Sequence, residues 1–158
     1  MADKFNAIVI DQDGENFKRE IKSLDLDFLD QGEVLVKIDF SDLNYKDALI
    51  LHNGGKLVKD FPRIPGIDLS GKVLESSVEE FKKDDEIIVT GSRVGEIFHG
   101  GFSQMAKIKK ELLIKKPNNL TSKQSMILGT AGFTALLCAF AVNAREEILL
   151  GEKVSDVL

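Results

Sequence analysis

Up to residue 115 the apolar positions come in short runs broken by turn residues. Residues 5–10 (Phe-Asn-Ala-Ile-Val-Ile) read as a first strand with Asp13-Gly14 as its turn, and residues 17–21 alternate in part as a second. Residues 24–29 are mixed, and Gln31-Gly32 signals a turn. The period of two and the β-branching of residues 33–40 then predict a strand. A polar loop, Ser41-Asp42-Leu43-Asn44-Tyr45-Lys46-Asp47, leads into a short helix over 47–53, stopped by Gly54-Gly55. Residues 56–63 form a loop containing Pro62, Pro65-Gly66 makes a sharp turn, and residues 68–74 read as a strand interrupted by Gly71. Residues 79–85 are charged and turn-like, and 86–90 make a short buried strand. Gly91, Gly95, Gly100 and Gly101 punctuate a loop before strands at 102–108 and 112–115. Short strands at this spacing predict a small barrel or sandwich.

The texture changes after residue 120. Thr121-Ser122-Lys123-Gln124 is a capping box, in which Thr121 caps the first amides and Gln124 reaches back. An apolar helix is expected from there to about residue 143. Gly129 and Gly132 inside it weaken the helix, which points to close packing against a backbone or ligand. The apolar stretch 131–142 falls short of what crosses a bilayer, so no membrane role is expected.

Composition narrows the function classes. A chain of 158 residues, 43% apolar and 30% charged, holds one domain with a core, or one domain and the start of another. Its formal net charge of -5 disfavours binding to nucleic acid, which wants a basic surface. A single cysteine, Cys138, allows neither an intrachain disulfide framework nor a cysteine-rich zinc site. Residues 1–6 include Asp and Lys before a short apolar run, so no signal peptide is expected and a cytoplasmic location is the simplest reading.

On residue types alone several features have two readings. Asn44, Tyr45, Lys46 and Asp47 sit between a strand and a helix, where sites are commonly built. The phenol of Tyr45, the only tyrosine, would donate a proton or hydrogen bond to a developing oxyanion. The plainer reading is a helix start with Asn44 as cap and Lys46 and Asp47 as solvated charges. Asp68, after a Pro-Gly turn in an apolar strand, is either an acid/base or a structural acid bonded to backbone amides. The glycines of 91–101 do not form a dinucleotide fingerprint and fit a loop needing positive φ. Lys107, Lys109, Lys110, Lys115 and Lys116 read as the outer face of a strand, Cys138 as inert core, and His52 and His99 as too isolated for metal binding.

Four stretches together resemble a known family. They are Leu43-Asn44-Tyr45-Lys46-Asp47-Ala48-Leu49, the run from Phe61 through Pro65-Gly66-Ile67-Asp68 to Gly71, Val94-Gly95-Glu96 with His99-Gly100-Gly101-Phe102, and Gly129-Thr130-Ala131-Gly132-Phe133-Thr134-Ala135. In order and spacing they resemble the N-terminal part of zinc-independent medium-chain dehydrogenases/reductases, in the acrylyl-CoA reductase and YhdH-type quinone oxidoreductase branch. The resemblance implies a mainly β fold with helices: a GroES-like catalytic domain over 1–120, an incomplete barrel. Residues 121–158 would then be a linking helix and the start of a Rossmann domain whose dinucleotide loop is missing, since Gly151 is the only glycine after residue 148.

It also implies hydride transfer from NADPH to an activated C=C bond of an enoyl thioester such as acrylyl-CoA, or to a quinone. No zinc takes part: Asn44 stands where zinc-dependent relatives carry a cysteine, and Gly66-Ile67-Asp68 where they carry Gly-His-Glu. Tyr45, Asn44 and Lys46 become the catalytic candidates. Asn44, Tyr45, Gly129, Thr130 and Thr134 become cofactor-binding, and Asp47 and Asp68 structural or site acids. The alternative is a non-enzymatic GroES-like module that forms a homodimer or needs a complementing Rossmann chain.

Overall fold

The computed structural model describes residues 4–149 apart from Asp30. Two antiparallel sheets carry it. The first is the hairpin of β1 (Phe5–Asp13) and β2 (Asn16–Leu24), turned at Gly14 with φ +58°. The second has five strands, β3 (Val34–Ser41), β4 (Asp68–Ser76), β5 (Glu86–Thr90), β6 (Met105–Ile108) and β7 (Ile114–Lys115), in the order β6-β3-β4-β5-β7. The hairpin is sewn to the rest by backbone bonds, Ile8 N to Phe102 O at 2.9 Å and Ile10 N to Arg63 O at 2.8 Å. Val34, Val36, Leu69, Val73, Ile87, Val89 and Ile108 fill the space between the strands. A second cluster, Phe5, Ala7, Val9, Leu35 and Ile64, seals the hairpin against the larger sheet. The fold is mainly β, as its patterning predicts.

Helix α1 (Tyr45–Asn53) leaves β3 and ends at Gly54, φ +72°. Helix α2 (Ser122–Leu149) lies against β3, β4 and β5. The predicted capping box is present, with Thr121 N donating to Gln124 Oε1 at 2.9 Å and Gln124 N to Thr121 Oγ1 at 3.2 Å.

Several expectations are corrected. Gly71 does not interrupt β4: it pairs with Ile38 and Ile87, beside a register shift in β3, and a Cβ there would overlap the Lys37 carbonyl, so its role is close strand approach. The strand expected at 102–108 begins only at Met105. That at 112–115 shrinks to Ile114–Lys115, because Lys110–Leu112 make a 3-10 turn. The helix expected to end at about residue 143 continues as α2 to Leu149; residues 150–158 of the expected Rossmann start, and the first three of the signal-peptide reading, lie outside the described residues. Cys138 is exposed rather than core. Lys116 is buried and bonds Glu86 at 3.1 Å, rather than lining an outer face. The apolar part of α2 is also longer than 131–142. Its 21 residues Ser122–Val142 have a mean hydropathy of 1.9, so length and composition alone do reach the bilayer-crossing range. Its first turns are nevertheless seated on the sheet through Ser122, Ser125 and Met126, with Ser70 Oγ donating to Ser122 O at 3.1 Å.

Candidate active site at the start of α1

The site begins with a helix start that two side chains over-determine. Asn44 caps α1: its Oδ1 accepts from Lys46 N at 3.0 Å and Asp47 N at 3.3 Å, and Asp47 Oδ2 accepts from Asn44 N at 3.1 Å. Asp47 is fully buried, not a solvated charge. Its other oxygen accepts from Ile67 N at 3.0 Å, which ties α1 to the Pro65-Gly66 turn. Burial raises its carboxyl above the ordinary value, against the opposing pull of the Asn44 and Ile67 amides.

With the Asn44 oxygen committed to the cap, its amide turns toward two acids, 3.5 Å from Asp42 Oδ1 and 3.5 Å from Asp68 Oδ2. Asp68 is fully buried at the mouth of β4 and saturated with donors. Its Oδ1 accepts from Gly91 N at 2.8 Å and Thr130 Oγ1 at 2.5 Å, and its Oδ2 from Thr130 N at 2.7 Å. Thr130 reaches it because α2 bends at Gly129, whose φ of 49° and ψ of -162° are not helical. A Cβ at Gly129 would collide with the Asp42 carboxylate, so glycine here answers a close approach to side chains. Gly132 meets only Leu128 of its own helix, and the expected tertiary packing is absent there.

At the rim, Tyr45 is 80% exposed in the first turn of α1. Lys46 also faces outward, but its Nζ is held 3.0 Å from Glu96 Oε1. Arg93, at φ +63°, brings Nε within 3.7 Å of the other Glu96 oxygen. Thr134 lies one turn beyond Thr130 and donates to its carbonyl at 2.8 Å. The structure therefore gathers Asn44, Asp47, Asp68, Gly129 and Thr130 into one network, with Tyr45, Lys46 and Thr134 around its open side. Sequence reasoning missed Asp42, Gly91, Arg93 and Glu96. For Asp42 a signal existed, an acid two residues before the cap asparagine. His99 is structural: its Nδ1 accepts from Ile64 N at 3.1 Å and its ring stacks on Phe28. Among the described residues no group of three or more His, Cys, Asp or Glu is arranged to hold a metal ion.

This geometry agrees with what the chain is similar to. The alcohol dehydrogenase GroES-like domain matches residues 30–118, more than half of the chain, and the chain belongs to that family. Within it, the chain is a homologue of acrylyl-CoA reductases and YhdH/YhfP quinone oxidoreductases and corresponds to the N-terminal part of a medium-chain dehydrogenase/reductase. It is 45% identical over 141 residues to the acrylyl-CoA reductase AcuI of Ruegeria pomeroyi, covering 88% of this chain and 43% of that protein. The structure of Escherichia coli K-12 YhdH with bound NADPH superposes with a TM-score of 0.84 at 40% identity, over 87% of this chain and 43% of that one. Bacillus subtilis YhfP with NAD bound gives 0.85 at 33% identity, over 92% and 44%. The chain thus spans less than half the length of these relatives.

Proposed function

We propose that this chain is the substrate-facing half of an NADPH-dependent oxidoreductase that works without zinc. It would reduce the activated C=C bond of an enoyl thioester such as acrylyl-CoA, or a quinone. The observation that carries the reading is the convergence of Asn44, Asp68 and the Gly129–Thr130 bend beneath an exposed Tyr45, in a chain this similar to acrylyl-CoA reductase. Residues 1–120 are read as the catalytic domain, and 121–158 as the connection to a nucleotide-binding domain.

When bound, NADPH supplies a hydride. The chain's own residues prepare the place where that hydride is received. The bend at Gly129 lets α2 approach the β3–α1 loop closely, and Thr130 and Thr134, whose hydroxyl protons go to Asp68 and to the Thr130 carbonyl, would turn their remaining lone pairs toward a bound carboxamide. Asn44 and Tyr45 complete that wall. In this reading the Tyr45 hydroxyl, unburied in the first turn of α1, would donate to an oxygen on which negative charge develops, and Lys46 would add its charge there only on leaving Glu96. Asp68 cannot serve as a ligand-binding acid without giving up Thr130 and Gly91, so it is read as the acid that fixes the bend. The donor set around it, two carboxylates and an amide, fits this positioning role better than a zinc site.

One observation favours a second reading, a module that docks another chain or a second copy of itself. Phe133, Leu136, Leu137 and Phe140 of α2 are each about half exposed or more, at 54%, 49%, 52% and 67%. The reductase reading accounts for the same surface as the face that the nucleotide-binding domain covers. An NADPH oxidation assay with acrylyl-CoA and with a benzoquinone tests it. The 158-residue chain alone is expected to turn over negligibly, because the relatives are more than twice as long; robust oxidation by the purified chain would overturn this division of labour.

A further inference from the structure

Asp42 has no role in the account above, yet it stands at its centre. It follows the last residue of β3, and the pairing of Ser41 with Leu69 sets it beside Asp68. Its Oδ1 faces Asn44 Nδ2 at 3.5 Å, the same amide lies 3.5 Å from Asp68 Oδ2, and the Oδ2 atoms of both acids crowd the place a Cβ would take at Gly129. Two carboxyls that converge on one amide and one glycine repel each other when both are ionised, and a proton held between them removes that repulsion and supplies the donor that neither carboxylate has.

Among the described residues no cation acts closely on Asp42. From β4 comes Asp68, and from α1 comes Asp47, whose oxygens already accept from Asn44 and Ile67. Lys46, also on α1, is drawn away to Glu96. From α2 come the uncharged Gly129 and Thr130, and from the loop after β5 the amide of Gly91, which bonds Asp68. Burial first, and the charge of Asp68 second, push the Asp42 carboxyl up to about 7.

We infer that Asp42 and Asp68 hold one proton between them, and that this proton seats the Gly129–Thr130 bend of α2 and the Asn44 amide against each other. Asp42 is then a positioning residue, and its bearing on chemistry rests on the reductase reading; the seating itself does not. When the proton leaves to solvent, two anions face each other with Gly129 packed against one and Thr130 bonded to the other. The seat loosens. A carboxyl raised in the folded state means that the folded chain binds more protons than the unfolded one. The stability it contributes is therefore full below the ordinary carboxylate range and is lost as pH rises toward about 7.

The test is an amide NMR titration of the ¹⁵N-labelled chain from pH 5 to 9, without any nucleotide. The Thr130 and Gly91 backbone amides and the Asn44 side-chain amide should move together with one midpoint near that value. Asp42→Asn, whose amide donates in place of the shared proton, should abolish the shared transition and keep the low-pH positions throughout. Asp42→Ser serves if that variant folds poorly, and should likewise remove the transition. Independent or absent titration of the three groups in the wild type, or an unchanged midpoint in either variant, would overturn the inference. Because no NADPH is present, the outcome is separate from the reductase reading, which fails instead if NADPH leaves these amides unmoved.

Discussion

Asp47 accepts from two backbone amides, those of Asn44 and Ile67, and does so from a fully buried position. Its carboxylate is the joint between α1 and the Pro65-Gly66 turn, and the positions of Asn44 and Tyr45 depend on that joint. Removing it leaves both amides unsatisfied. Asp47→Ala should therefore cost about 3 kcal/mol, since each buried donor left unpaired costs about 1–3 kcal/mol. Urea unfolding of the two proteins measures this, and a loss under about 1 kcal/mol would show that the joint is dispensable. Asn44 divides its two ends in the same spirit: the oxygen caps the helix while the amide faces Asp42 and Asp68. A helix cap and a site residue are here one side chain, so the plain and functional readings of the 41–47 loop do not compete.

At the scale of elements, α2 shows how two glycines in one helix differ in purpose. Gly129 bends the chain at positive φ and leaves room for the Asp42 carboxylate; Gly132 is helical and meets nothing beyond Leu128. Gly129→Ala should detach Thr130 from Asp68 and lower the thermal midpoint by several degrees, as about 2–3 kcal/mol of overpacking and backbone strain would do. Gly132→Ala should stay within about 1 kcal/mol of the wild type. Equal effects from the two would contradict the bend as the reason for Gly129. In residues 86–90 the period of two survives, with Ile87 and Val89 buried; 33–40 shifts by a single residue and was legible by its apolar, β-branched run, since Val34, Leu35 and Val36 are all buried. Residues 112–115 misled because Leu112 and Leu113 are apolar for the sake of a 3-10 turn against the core, not for a strand. Cys138 misled because an apolar helix says nothing about which of its faces are covered. The acid types of the site could be read directly, but not their meeting: Asp42 and Asp68 come together through the β3–β4 register, and Thr130 only through a bend at residue 129.

At the scale of the molecule, the two sheets and α1 form a mount, and α2 an arm fixed to it at Asp68 and Ser70. The arm's outer half shows apolar side chains to solvent, Phe140 most among the four compared above. Under the proposed reading, a nucleotide-binding domain would cover this surface; under the alternative, a second chain would. The measurement that bears most directly on this account is an amide NMR titration of the chain with NADPH carried to millimolar concentration. Weak binding is predicted, with the largest shifts at Asn44, Tyr45, Thr130 and Thr134. No shift at these residues, or shifts confined to the β1–β2 hairpin, would contradict the assignment of this face to the nicotinamide and leave the docking module as the function.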